Sequence, residues 1–155
     1  MDVLAVVLRI LHIGGAVVLG GALVYQLTAV QPALRRLDGP ARDELAERLI
    51  RAWSVLLWAA VAVLLASGLL NYLLIKIPEY RPRPYKGAYH GLIGLKILAG
   101  LALFHAGAML ALPFGGRPKT RAQAPRWLAW GTLLLAVIIV LGAVLRYLPS
   151  FYASE

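Results

Sequence analysis

Four long apolar stretches dominate this sequence, and they restrict the fold more than any other feature. They cover residues 3–30, 52–75, 89–112 and 127–148. Each reaches the roughly 20 residues that a helix needs to cross the hydrocarbon core of a bilayer. Backbone groups in hydrocarbon must bond to one another, and no stretch alternates as a barrel strand does. The sequence therefore predicts an all-α protein, a four-transmembrane-helix bundle that forms one integral membrane domain over residues 1–155.

The connectors between these stretches differ in charge. The first and third connectors together hold nine basic residues: Arg35, Arg36, Arg42, Arg48, Arg51, Arg117, Lys119, Arg121 and Arg126. The second connector holds four: Lys76, Arg81, Arg83 and Lys86. Because cytoplasmic connectors are enriched in Lys and Arg, we expect the first and third in the cytoplasm of a plasma or inner-membrane protein, with both termini outside. This topology explains the net charge of +9 without a nucleic-acid partner.

Two connectors carry local structure signals. Asp38 and Pro40 precede a mixed-charge segment, which predicts a short solvated helix that runs into the second span. The connector after that span reads KIPEYRPRPYKGAY and is rich in proline. Its prolines forbid a continuous helix and predict a semi-rigid lid over the outer end of the bundle.

Three histidines and one lysine lie inside the apolar stretches at different depths. At a rise of about 1.5 Å per residue, His12 and Lys96 lie about 6–8 Å above the bilayer centre, towards the outside. His90 lies about 15 Å above the centre, and His105 lies about 7–8 Å below it. An ionisable group in hydrocarbon is costly and therefore a functional candidate, although Lys96 can also snorkel to the interface and a histidine can bridge helices.

Helical geometry predicts which side chains face the interior. At about 100° per residue, one stripe of the first stretch holds seven residues. They are Arg9, His12, Gly15, Ala16, Leu19, Leu23 and Gln26. The small residues near this stripe permit close approach of another helix or of a flat macrocycle. In the third stretch, His90 and His105 lie about 60° apart and are expected to share the interior face, while Lys96 points away from both.

Three further polar residues lie near the outer ends of the spans. Arg9 and Arg146 are expected to pair with lipid headgroups or with an anionic ligand group. Asn71 is expected to join helices by hydrogen bonding or to contribute to a binding site.

The histidines favour a haem site. Neutral imidazole is a good axial ligand for haem iron, and helix bundles often hold cofactors in their interior. His12 and His90 are the nearest candidate pair for haem b, with Arg9 and Arg146 placed to meet its propionates. The heights of the two histidines differ by about 7 Å, which helix tilt must absorb. His105 lies about 15 Å from the level of His12 and needs a partner of its own.

Copper is the competing metal. His105 and Met109 lie one helical turn apart and form a plausible part of a Cu(I) site, to which His12 is a further candidate. Apart from Met1, Met109 is the only methionine, and the chain has no cysteine. The lack of cysteine excludes disulfides, thiolate metal sites and iron–sulfur clusters. A third interpretation is a non-catalytic structural subunit, whose polar groups only join helices or bind lipid.

Three segments carry a family resemblance: LHIGGAVVLGGALVY, ASGLLNYLL and HGLIGLKILAGLALFH. Their order resembles the copper-resistance protein D (CopD) domain and the related HemJ-type protoporphyrinogen oxidases over about residues 8 to 112. The HemJ-type pattern implies functional roles for His12, Lys96 and His105, with haem b and oxidation of a porphyrinogen. The Asn–Glu pair that usually opens the last helix of that type is replaced here by APRWLAWG. The CopD pattern tolerates this difference and implies copper handling.

These observations predict a haem-b-binding integral membrane protein that works in membrane redox chemistry, either as an oxidoreductase with Lys96 as the catalytic candidate or as an electron carrier. The expected partners are the lipid bilayer and a redox partner or quinone, and a homo-oligomer is compatible with the sequence. A CopD-like copper protein is the alternative from another class.

Overall fold

A computed structural model of the chain describes residues 3–111 and 118–152, and helices make up almost all of this part. The α-helices are α1 (Val3–Tyr25), α2 (Gln31–Leu34), α3 (Pro40–Asn71), α4 (Ile77–Tyr80), α5 (Lys86–Ala111) and α6 (Pro118–Phe151). Strands are absent from the described residues, so the prediction of an all-α fold is confirmed.

Four of the helical segments in the described residues are long and apolar enough to cross a membrane. They are Val3–Leu34, Pro40–Tyr80, Lys86–Ala111 and Gln123–Phe151. The shortest of them has 26 residues, which exceeds the roughly 20 that hydrocarbon requires. The protein is therefore a multi-pass membrane protein built as a four-helix bundle, as the sequence predicts.

Two π-helical turns extend the first two spans beyond their predicted ends. Gln26–Val30 joins α1 to α2, and Tyr72–Lys76 joins α3 to α4. Each turn is followed at once by a helix with proline in its first turn. Proline has no N–H to donate and clashes with the carbonyl four residues earlier, and a wider turn just before it lets the helical path continue. The second span continues to Tyr80, past its predicted end at residue 75, and the connector interrupts the helix only between Tyr80 and Lys86.

The start of the second span agrees with its sequence signals. Gly39 precedes α3 with a φ of 70°, a left-handed conformation that favours glycine. Pro40 then occupies the first helical position, where its missing N–H costs nothing. The mixed-charge segment is the exposed first part of α3, where Arg48 pairs with Glu44 at 2.6 Å. The predicted solvated helix is confirmed.

The interior of the bundle is formed mainly by leucine side chains and close glycine contacts. Leu19, Leu23, Leu57 and Leu128 are almost fully buried. A Cβ on Gly20 would come within 2.7 Å of Leu135, and a Cβ on Gly107 would come equally close to Leu57. In a membrane, such small residues stabilise a bundle because they let helices approach closely.

The predicted interior stripe of the first span is confirmed except at one end. His12, Gly15, Ala16, Leu19, Leu23 and Gln26 are all buried or half-buried. Arg9 is exposed, so its placement on the interior face is wrong. The stripe meets its neighbours by direct helix contact, since a Cβ on Gly15 would lie 3.2 Å from Leu64.

Candidate functional site

His12 of α1 forms a polar contact with α3 inside the bundle. Its Nδ1 lies 3.1 Å from Oγ of Ser67. Ser67 itself is buried, and its hydroxyl donates to the carbonyl of Val63 at 2.6 Å. Because one hydroxyl has one proton, Ser67 Oγ then accepts the hydrogen bond from Nδ1–H of His12. With Nδ1 as the donor, the lone pair of His12 lies on Nε2.

Gly68 provides the space for the His12 ring. A Cβ at this position would lie 2.9 Å from Cε1 and 3.2 Å from Nδ1 of His12. These distances are shorter than van der Waals contact, so any larger residue at position 68 displaces the imidazole. The absence of a side chain at Gly68 therefore leaves room for the His12 ring against α3.

Lys96 of α5 lies in the same region. Its positive charge is near enough to act on the imidazole of His12. The side chain is half-buried, and its Nζ lies 3.4 Å from the point that a Cβ on Gly142 of α6 would occupy. His12 thus contacts Ser67 and Gly68 between α1 and α3, and Lys96 approaches Gly142 between α5 and α6, with its charge within electrostatic range of the imidazole. We call His12, Ser67, Gly68, Lys96 and Gly142 the central polar cluster.

His90 belongs to a different group at the end of the bundle where α3 and α4 meet the start of α5. Its Nδ1 lies 2.9 Å from the hydroxyl of Tyr72, and its ring stands edge-on to Tyr72 and Tyr89. Tyr89 stacks on Tyr80 with ring centroids 3.6 Å apart. Tyr85 and Tyr152 continue the contacts, with centroids 5.1 Å apart. Five tyrosines thus pack together with His90 at this end of the bundle.

His12 and His90 are not brought to one point. Their partners on the second span, Ser67 and Tyr72, are five positions apart in the sequence. Five helical residues correspond to about 7–8 Å along the axis and about 140° around it. The two histidines therefore contact different levels and different sides of the same span. The pairing of His12 with His90 on one iron stays a prediction, and these contacts do not support it.

His105 lies apart from both of these groups. It is exposed, and its ring stands edge-on to Trp127 with centroids 6.0 Å apart. The prediction that His90 and His105 share the interior face is wrong for His105. Met109 is half-buried one turn further along α5. Within the described residues, no three side chains of the His, Asp and Glu types gather as a set of metal ligands.

The other predicted site residues are not part of the central polar cluster. Arg9 and Arg146 are exposed, so neither is directed into the central polar cluster. Asn71 is half-buried at the last position of α3.

Sequence reasoning missed three members of the cluster: Ser67, Gly68 and Gly142. The signal for the first two was present, since a serine beside a glycine in an apolar span lies within the quoted segment ASGLLNYLL. Small polar residues at helix interfaces commonly bond across to another helix in membranes.

Comparisons with family models, with curated proteins and with solved structures find no match. The resemblance to the CopD and HemJ-type proteins stays a prediction drawn from the segments quoted above.

Proposed function

We propose that the protein binds haem b through Nε2 of His12 and works in membrane redox chemistry. The observation that carries the proposal is the hydrogen bond from Nδ1 of His12 to Ser67. Histidines that ligate metals have their other ring nitrogen engaged in this way, which fixes the tautomer and the ring orientation. A neutral imidazole so held, half-buried in a membrane bundle, is the donor that haem iron takes as an axial ligand.

The proposal assigns one histidine to the haem, in place of His12 and His90 together. His12 and His90 each have Nδ1 engaged, by Ser67 and by Tyr72, but these two partners lie at different levels and on different sides of the second span. Leu64 fills the space beside Gly15, and Leu135 fills the space beside Gly20, so these two glycines leave no room for a macrocycle. The groups offered to the ligand are therefore one imidazole nitrogen for the iron and one ammonium group near it.

Lys96 is the proposed contact for the anionic part of the ligand. An ammonium group inside hydrocarbon is costly, and a carboxylate beside it offsets that cost. A haem propionate or an anionic substrate group supplies such a carboxylate. When bound, haem supplies one-electron chemistry, and the roles of this chain are to hold the imidazole through Ser67 and to bind the anionic group through Lys96.

An absorption spectrum of the purified protein, expressed with added haem precursor, tests the proposed function. We expect a Soret band and α and β bands on reduction, at one haem for each chain. A colourless protein with one copper for each chain would support the CopD-like alternative instead. Protein that is colourless and free of metal after haem supplementation would support a structural subunit. Copper has no comparable support here, since His105 is exposed beside Trp127.

We also propose that the first and third connectors face the cytoplasm, on the nine-to-four distribution of basic residues. The chain has no cysteine, so single-cysteine variants label cleanly. In intact cells, Pro84→Cys should react with a membrane-impermeant maleimide, and Asp38→Cys should react only after permeabilisation. Labelling in the opposite order would show that the protein is inserted the other way.

A further inference from the structure

Two adjoining clefts on α6 share the same arginine and the same tryptophan. One has a volume of about 290 Å³ and is lined by Gln123, Arg126, Trp127 and Trp130. The other, of about 190 Å³, is lined by Arg126, Ala129, Trp130 and Leu133. The first cleft is partly polar, and the second is almost wholly apolar. We propose that they form a binding site for one anionic phospholipid, with its phosphate on Arg126 and an acyl chain along Trp130 and Leu133.

The depth of Arg126 in the membrane fits a headgroup site. Arg126 and Arg146 lie on the same helix, twenty positions apart. At about 1.5 Å per residue this separation is about 30 Å, which is the thickness of the hydrocarbon core. The two arginines therefore lie at opposite headgroup levels. From Arg126 to Leu133, the second cleft descends about 10 Å into the hydrocarbon.

The lining groups match the parts of a phospholipid. Arg126 is exposed, and a guanidinium binds a phosphate through two parallel hydrogen bonds. Trp127 and Trp130 are of the residue type that lies at membrane interfaces, with an apolar body and one polar N–H. Ala129 and Leu133 are exposed on the hydrocarbon side and offer an apolar surface to a chain.

The occupant is a lipid rather than a soluble anion, because the apolar cleft continues directly from the cationic one. A free phosphate would use Arg126 and leave the second cleft uncovered. A neutral phospholipid would cover the second cleft and gain less from Arg126. The combination selects a molecule with a net negative headgroup and an acyl chain. This site does not involve His12 or Lys96, so its test is independent of haem.

Tryptophan fluorescence measures occupancy directly. Trp53 is buried and donates to the carbonyl of Gly107, whereas Trp58 is half exposed. The Trp58→Phe variant therefore leaves Trp127 and Trp130 as the main lipid-facing reporters. This variant is placed in two series of phosphatidylcholine vesicles. One series contains phosphatidylglycerol with brominated acyl chains, and the other contains phosphatidylcholine with brominated acyl chains. Bromine quenches indole fluorescence on contact, so the two titrations give the relative affinity of the two lipids.

We expect brominated phosphatidylglycerol to bind more tightly than brominated phosphatidylcholine, by about fivefold or more, since one arginine near the surface contributes about 1 kcal/mol. Arg126→Gln in the same background should lower this preference about fivefold. Arg146→Gln is the matched control, because it removes an exposed arginine of α6 at the other headgroup level, and it should leave the preference unchanged. Equal quenching by both lipids in the parent, or an unchanged preference in Arg126→Gln, would overturn the proposal.

Discussion

Replacing His12 with alanine is expected to abolish haem binding. His12 is the histidine whose Nδ1 is held by a buried partner inside the bundle while Nε2 keeps a lone pair. Alanine has no nitrogen to bind the iron. The first span also packs against its neighbours through other interior side chains, so the packing of the bundle does not depend on the His12 ring alone. We expect the Soret band to disappear from a variant that is still helical by circular dichroism and still monodisperse in detergent.

The matched control for this experiment is His105→Ala. His105 is exposed and contacts Trp127, so its removal should leave the haem content of the protein unchanged. His12→Ala protein that retains the parental spectrum at full occupancy would show that His12 is not the ligand. Loss of haem in His105→Ala with retention in His12→Ala would assign the ligand to His105 on the third span.

Replacing Ser67 with alanine is expected to weaken haem binding by about 10- to 100-fold, the range found when a partner of a ligating histidine is removed. The alanine variant takes away the oxygen that accepts from Nδ1–H at 3.1 Å. The His12 ring is then free to rotate and to adopt the other tautomer. The rate at which haem transfers from the protein to an excess of apomyoglobin, at matched protein concentration, measures the change.

Ser54→Ala is the control for this second experiment, because Ser54 is a half-buried serine on the same helix but lies away from His12. Ser67→Thr, which keeps a hydroxyl, should retain much of the affinity if the added methyl group is accommodated. Equal transfer rates in Ser67→Ala and in the parent would mean that the hydrogen bond has no role in holding haem. Equal losses in Ser67→Ala and Ser54→Ala would mean that the effect is a general one on packing.

The four spans were predictable because the length of an apolar stretch is a local property of the sequence. The ends of the first two spans were not, since they depend on π-helical turns at Gln26–Val30 and Tyr72–Lys76 that carry the helix past a proline. Proline predicts a break because it removes one hydrogen bond. Packing around the turn before the proline decides whether the backbone widens there and so avoids the clash.

The central polar cluster was predictable in part. Depth arithmetic places His12 and Lys96 at nearly one level, and in the structure the charge of Lys96 lies within electrostatic range of His12. The role of Ser67 could not be derived, because its partner lies 55 positions away on another helix. The error at His105 has a related cause. Angular spacing fixes the angle between two side chains of one helix, but the neighbouring helices decide which angle faces inward.

The spin state of the iron tests the central proposal most directly, because it counts the histidines that bind. We expect the ferric protein, loaded to one haem for each chain, to show a high-spin electron paramagnetic resonance signal, since under this proposal His12 would be the one histidine that binds the iron. That signal should be lost together with the haem in His12→Ala. A low-spin signal of iron held by two histidines, or a protein that takes up no haem at all, would contradict the proposal.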